Sequence, residues 1–322
     1  MKSLYFFIII IKKVYIVMSL IYTKYIHTLL ENIDYRTIPV EMDLVLDSGA
    51  FNGLFMYGGL LYIKELELLG KTRVNRISGS SVGALSGCLY ILNKFDVIEN
   101  IYEKLRSGFN NTINLHILYE LIDKEFSQID ESSYKQLNSR LFINYIDINE
   151  KREIVVSEYT SNSDVIEKLK KSTFIPVITN NHLTYDNCID AMTPYIFTEK
   201  NIERKILFIN LFKIGGLKQM LNIFHDKNIA HRTLSGILDI HDFFLKTHPS
   251  QMCSYVNDWN LIDYTLYRIR ELAWLIIVYL IYVGINIHKC LPKSITESLY
   301  MNTIHDLALK YFKEVMYCTM LQ

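Results

Sequence analysis

The chain has 322 residues, half of them hydrophobic and 21% charged, so it can bury a full core and is not globally disordered. Lys+Arg and Asp+Glu each number 34, a balance that excludes the basic footprint of nucleic-acid binding. At ~150 residues per domain the length admits one large domain or two small ones.

Residues 1–41 read as an apolar N-terminal extension. Residues 4–11 and 14–22 are mostly apolar, but Lys12 and Lys13 part them. A spanning helix wants ~20 apolar residues in a row, and a lysine at its centre costs about 2.5 kcal/mol or more. A cleaved leader needs a small-residue site after the run, and Lys-Lys-Val-Tyr is not one. A dispensable extension, upstream of a start at Met18 or Met42, is the expectation.

Glycine is concentrated next. Gly49, Gly53, Gly58, Gly59, Gly70, Gly79, Gly83 and Gly87 are 8 of the 13 in the chain and fall within about 40 residues, which marks special backbone there. Asp43–Asp47 predicts a short buried strand, 48–53 a small-residue turn, and 57–69 a helix ending at Gly70. Residues 74–78 predict a second strand, 79–83 a tight turn, and 84–92 a second helix. This alternation opens a parallel α/β sheet. Further strands are expected over 154–159 and 204–212, and a helix from an N-cap at Ser163 to Lys171. From about Lys218 only helices are expected: 218–224, 233–247, 261–288 and 294–316. The division is therefore 1–41 extension, 42–215 α/β core, and 216–322 helical part packed on the core. Within the last, Leu272–Ile287 is a 16-residue apolar run, short for a span. A buried core helix is the first reading, and a helix lying in a lipid interface is the second.

The five cysteines are far apart and form no C-x-x-C pair, so neither a zinc site nor a disulfide framework is expected, and a reduced, cytoplasmic setting fits. Gly79-Ser80-Ser81-Val82-Gly83 is a G-x-S-x-G placed after a strand and before a helix, as a nucleophile elbow requires. Ser81 is the candidate nucleophile, with Gly79 and Gly83 as its side-chain-free flanks. About 30 residues upstream, Asp47-Ser48-Gly49-Ala50-Phe51-Asn52-Gly53 also follows a strand. Its small residues let backbone N–H groups converge on one oxygen, so Ser48, Gly49, Ala50 and Gly53 form a candidate oxyanion hole. A dinucleotide loop would need G-x-G-x-x-G and a phosphate loop G-K-[ST]; neither is present.

The pair of turns resembles the patatin-like phospholipases, whose D-G-G-G-x-[RK]-G turn precedes a G-x-S-x-G by about 30 residues. The Phe51-Asn52-Gly53 variant of the first turn is similar to that of patatin-like proteins encoded by large DNA viruses. The family's third motif, D-G-[GA] with a proline eight residues on, is matched by Asp186-Asn187-Cys188 and Pro194 after Ser172-Thr-Phe-Ile-Pro176. The resemblance covers about 42–212. It implies a three-layer α/β/α fold with a mainly parallel sheet, and a lipid acyl hydrolase of phospholipase A type. It implies a Ser81–Asp186 dyad working through an acyl-enzyme without metal or organic cofactor. The partners it implies are phospholipid or another acyl lipid, with peripheral membrane contact. Ser48, Ala50, Asn52, Asn187 and Cys188 depart from the family pattern. Asp190 is a rival acid. Two alternatives stay open: a weakened lipid-binding relative, and a Ser-Asp-His esterase drawing on His225, His231, His241 or His248.

Overall fold

The apolar run after Glu41 forms strand β1 (Glu41–Leu46), and every residue in it after Glu41 is buried. A strand so apolar on both faces belongs inside a covered sheet. In the computed structural model, which describes residues 20–290 except 113, 128, 199–203, 214–219 and 221–229, together with 292, 307, 310, 311 and 314, β1 lies at the centre of a seven-stranded sheet. Helix α1 spans 20–30. After β1 come α2 (Gly53–Leu68), β2 (Arg73–Gly79), α3 (Val82–Ile91), α4 (Ile98–Thr112), α5 (Ile117–Phe126) and the short α6 (Tyr134–Leu137). Then follow β3 (Leu141–Asp147), β4 (Arg152–Val156), α7 (Asn162–Ser172), β5 (Cys188–Asp190), β6 (Lys205–Ile209), α8 (Ala230–Lys246), β7 (Cys253–Tyr255) and α9 (Leu261–Cys290).

The strand order is β4-β3-β2-β1-β6-β7, with β5 paired to β3. The four central strands are parallel, while β4, β5 and β7 join antiparallel. The fold is thus α/β with a mixed, mostly parallel sheet. Its register sets Leu46 beside Gly79 and Ile209, and Gly79 beside Ile143. The carboxyl ends of β1, β2, β3 and β6 therefore share one edge, where ligands bind in open α/β sheets.

Several expectations shift. The strand expected over 154–159 is the edge strand Arg152–Val156, and the N-cap of α7 is Ser161, whose side chain accepts from the Asp164 N–H, rather than Ser163. The segment beyond 218 is not purely helical, because β7 pairs with β6 and completes the sheet. The helices expected over 218–224 and 294–316 lie, isolated positions aside, outside the described residues. The extension is not wholly dispensable: Tyr22, Ile26, Leu30, Ile33 and Ile38 are buried in the main core. The run 272–287 belongs to α9 but is no core helix, since most of its surface stays exposed.

Helices α2 and α8 cross at backbone contact. A Cβ on Gly58 would come within 2.0 Å of the Thr233 oxygen, and one on Gly236 within 1.9 Å of the Phe55 oxygen. Glycine is required at both for lack of space. Gly236→Val should therefore force the helices apart and lower stability by about 3 kcal/mol, the upper part of the range for overpacking. Urea unfolding should show the midpoint fall, whereas Leu238→Ala on the exposed side of α8 should change it little.

Candidate active site

Strand β2 ends at Gly79 and α3 begins at Val82, so the chain reverses within two residues. Ser81 takes the bend with φ 56° and ψ −125°. A non-glycine residue seldom adopts a positive φ, and surrounding structure must hold it there. The hold is visible in the neighbours. A Cβ on Gly83 would lie 2.3 Å from the Leu46 oxygen, and one on Gly79 2.5 Å from the Ala84 nitrogen. Backbone bonds from Gly83 N–H to Ser80 O (2.9 Å) and from Leu85 N–H to Ser81 O (3.2 Å) close the turn. The Ser81 N–H donates to Oγ of the buried Ser172, 3.0 Å away. Ser81 thus sits in a strained strand-to-helix turn between two glycines that have no room for a side chain.

The acid beside it differs from the one the motif register selected. Tyr185 and Cys188 exchange both backbone hydrogen bonds, at 3.0 and 2.9 Å. Between them Asp186 and Asn187 both have positive φ, 50° and 57°. That is the backbone of a two-residue hairpin turn, for which Asp and Asn are the favoured non-glycine residues. The Asp186 side chain is 65% exposed and pairs with Lys171 Nζ at 2.7 Å. Asp186 is turn chemistry and does not meet Ser81.

Four residues on, Asp190 ends β5 and is fully buried. Its N–H donates to Phe174 O at 2.9 Å. Its Oδ1 accepts from Ser80 Oγ (3.1 Å) and from the Met192 N–H (2.7 Å). Burial, aided by the nearby Asp47 charge, pushes this carboxyl up to about 6, against hydrogen bonding from Ser81, Met192 and Ser80. The Ser81 hydroxyl is therefore close enough to favour the ionised carboxylate, while Oδ2 completes no aligned hydrogen bond. One oxygen is held by the fold and the other is open to a proton.

The turn after β1 lies against the elbow, where a Cβ on Gly53 would meet Val82 Cγ2 at 2.5 Å. The four residues expected to supply an oxyanion hole divide. The Ser48 N–H donates to its neighbour Asp47 Oδ1 (3.0 Å), and the Gly53 N–H is taken by Ala50 O. Ser48 Oγ donates to Met192 O at 2.6 Å, tying the turn to the Asp190 loop. The N–H groups of Gly49 and Ala50 have no partner among the described residues. Ala50 has φ 43°, which explains why the resembling turn carries glycine there. Gly49 is extended, with φ 173°, and is constrained instead by Leu211, whose Cβ and Cδ1 would stand 2.6 Å from a Cβ.

Two arginines that sequence reasoning missed hold this turn. Arg232, buried on α8, donates through Nη1 to Phe51 O (3.1 Å) and to Asn52 Oδ1 (2.9 Å). Asn52 stands where the resembling turn has a basic residue, so the cation arrives from another helix. Arg270 on α9 grips the buried Asp47 with both terminal nitrogens, Nη1 to Oδ2 at 2.8 Å and Nη2 to Oδ1 at 2.6 Å. The only sequence signal for Arg270 was a charge in phase with Tyr267 and Trp274 on an apolar helix.

Ala50, Phe51, Leu54, Ser81, Val82 and Leu85 line a pocket of about 750 Å³, counted to its open mouth, which α4 and α5 complete with apolar side chains. No described histidine is hydrogen-bonded to Ser81 or Asp190. His241 meets Tyr62 Oη at 3.1 Å, His231 and His248 are exposed, and His225 lies outside the described residues. Among the described residues no group of three or more His, Cys, Asp or Glu side chains forms a candidate metal site.

The Arg270–Asp47 pair generates a stability expectation. Removing one partner of a buried ion pair strands the other charge and costs about 3–5 kcal/mol. Arg270→Met should show a loss of that size in urea unfolding. Asp47→Asn combined with Arg270→Met should recover part of it, because no buried charge is then left unpaired.

In comparisons with known proteins, no family model and no curated protein matches the chain. A functional reading therefore stands on the strained Ser81, the buried Asp190 and the apolar pocket that opens on them.

Proposed function

We propose that the protein is a serine hydrolase of acyl-lipid carboxylic esters, with Ser81 as nucleophile and Asp190 as its base. The observation that carries this is the pairing of an elbow serine with a buried carboxyl of pKa about 6 at the mouth of an apolar pocket. A base of that pKa is mostly ionised at neutral pH, yet basic enough to take a proton in the transition state. Asp190 Oδ2 accepts the Ser81 hydroxyl proton as Oγ attacks the ester carbonyl. The N–H groups of Gly49 and Ala50 favour the negative charge on the carbonyl oxygen. The C–O bond to the alcohol then breaks, and the alcohol leaves with the proton from Asp190. Water, deprotonated by the same carboxylate, then attacks the acyl carbon; the bond to Oγ breaks, Asp190 returns the proton to Ser81 Oγ, and the fatty acid leaves.

The pocket supports a long acyl chain as the group transferred, since its lining offers few polar partners. The resemblance to patatin-like phospholipases supports a phospholipid substrate and a three-layer α/β/α arrangement. A weakened lipid-binding relative is less well supported, because the strain at Ser81 is retained. A Ser-Asp-His triad has no described histidine to complete it.

Ser81→Ala should abolish hydrolysis of long-chain p-nitrophenyl esters and covalent labelling by a fluorophosphonate. Asp190→Asn should reduce turnover by about 10²–10⁴-fold, the range for a lost general base. Asp186→Asn should stay within about twofold, because its carboxyl is exposed and Lys171 keeps Glu167 at 2.8 Å. A folded Asp190→Asn protein with full turnover, or a folded Asp186→Asn protein without it, would overturn the assignment; melting temperatures tell lost chemistry from lost fold.

The pH profile gives an independent check. Asp190 acts in its ionised form, and burial raises its pKa to about 6. Turnover should rise tenfold per pH unit below that value and level off above about pH 7, following one deprotonation. A profile flat between pH 5 and 8 in a stably folded protein would remove Asp190 as the base.

A further inference from the structure

Helix α9 has 30 residues and is therefore about 45 Å long. It crosses the carboxyl edge of the sheet directly beside the candidate site. Arg270 holds Asp47, and Trp274 Nε1 donates to the Asp190 carbonyl oxygen at 2.9 Å. Val278, Ile281 and Ile285 continue this inner face against Ile146, Phe174 and Ile189. One side of the helix is thus fastened to the domain from Tyr267 to Ile285.

The opposite side is apolar and uncovered. Ile269, Ile276 and Leu280 fall on one row and are 57%, 55% and 63% exposed. No charged residue occurs from 272 to 287. By length and composition the segment Leu261–Ile287 could cross a membrane. Single exposed apolar residues need no explanation, but a continuous face of this extent marks an interaction surface.

We infer that the outward face of α9 rests on the surface of a phospholipid bilayer, with the helix lying in the membrane plane. Two observations select this occupant and posture. The row is aliphatic and lacks the polar groups that fix register with a protein partner. At its flank, Lys151 Nζ stands 4.2 Å over the Tyr282 ring, the pairing of cation and aromatic found at headgroup depth. A spanning posture would pull α9 from the domain and strand Asp47, whose buried carboxylate has Arg270 as its ion-pair partner. An in-plane helix buries its apolar face and keeps that pair. The face carries no charge from 272 to 287, so the contact is apolar and does not call for anionic lipid. Such seating would set the carboxyl edge of the sheet next to the lipid. It deepens the hydrolase reading by naming the surface on which substrate is met, yet its test does not need Ser81 to be a nucleophile.

The test uses full-length Ser81→Ala protein, which cannot alter the lipid through Ser81, and phosphatidylcholine vesicles in a flotation assay. The protein should float with the vesicles. Adding Ile269→Gln, Ile276→Gln and Leu280→Gln should weaken partitioning at least ~10-fold with the melting temperature unchanged. Should the triple variant lose its fold, Leu280→Gln alone should still weaken partitioning about threefold. Nitroxides at Ile269→Cys and Ile287→Cys, with Cys290 and Cys318 replaced by serine, should report equal depth. Failure to float, or equal flotation of the folded glutamine variants, would overturn the inference. So would a depth difference approaching about 27 Å, the value for 18 residues of a spanning helix. Self-association in lipid-free solution that the glutamines abolish, without flotation, would assign the face to a second copy instead. If vesicles bind but wild-type protein cleaves no ester, the surface stands and the hydrolase reading falls.

Discussion

The arrangement depends on one close approach: the first turn of α3 lies against the end of β1 with no side chain between them. Gly83 meets the carbonyl oxygens of Leu46 and Asp47 at a distance no Cβ could share. Because β1 and β2 are parallel and in register at Leu46 and Gly79, this contact brings both strand-to-helix turns to one point of the sheet edge. Ser81, with φ 56°, is held in the turn that this contact permits. The strain at one residue is balanced by packing over the whole helix, whose residues from Gly83 to Ile91 are all buried.

The same edge concentrates charge in a setting that disfavours it. Asp47 and Asp190 are both fully buried, and the Asp47 charge raises the proton affinity of Asp190. The fold treats them differently. Asp47 receives a bidentate guanidinium and becomes a fixed anchor, whereas Asp190 receives only hydroxyl and amide donors on one oxygen. Burial raises the proton affinity of both; the Arg270 guanidinium opposes that rise at Asp47, and only neutral donors oppose it at Asp190.

The sequence revealed the elbow and the turn before it because both are encoded locally, in glycines that the backbone needs for space. β1, β2 and the ends of their helices were legible for the same reason, since short apolar strands and small-residue turns leave a strong pattern. The motif register selected Asp186, which lies four residues from Asp190 in a segment with two possible registers. Pairing sets the two apart: β5 joins β3 and buries Asp190, while the hairpin turn holds Asp186 and Asn187. β3 escaped detection because LFINYID mixes polar and apolar residues without alternation, and Asn144 is buried through contacts with Glu153 and the Thr193 carbonyl. Arg232 and Arg270 were invisible in principle. Each acts across roughly 180 to 220 residues, and no local spacing relates a helix residue to a turn that far upstream.

The position of β1 has a further consequence in time. Its neighbour β2 follows it almost at once in the chain, but its other neighbour, β6, begins at Lys205, and the strand that closes that side, β7, begins at Cys253. At ~5–20 residues per second of synthesis, roughly 8–30 s separate the appearance of β1 from that of β6. Throughout that interval one edge of this central strand has no partner, and such an edge templates pairing between chains. During biosynthesis, protection of that edge must come from outside the sheet, either from a chaperone or from the early collapse of α2 over the apolar side chains of β1.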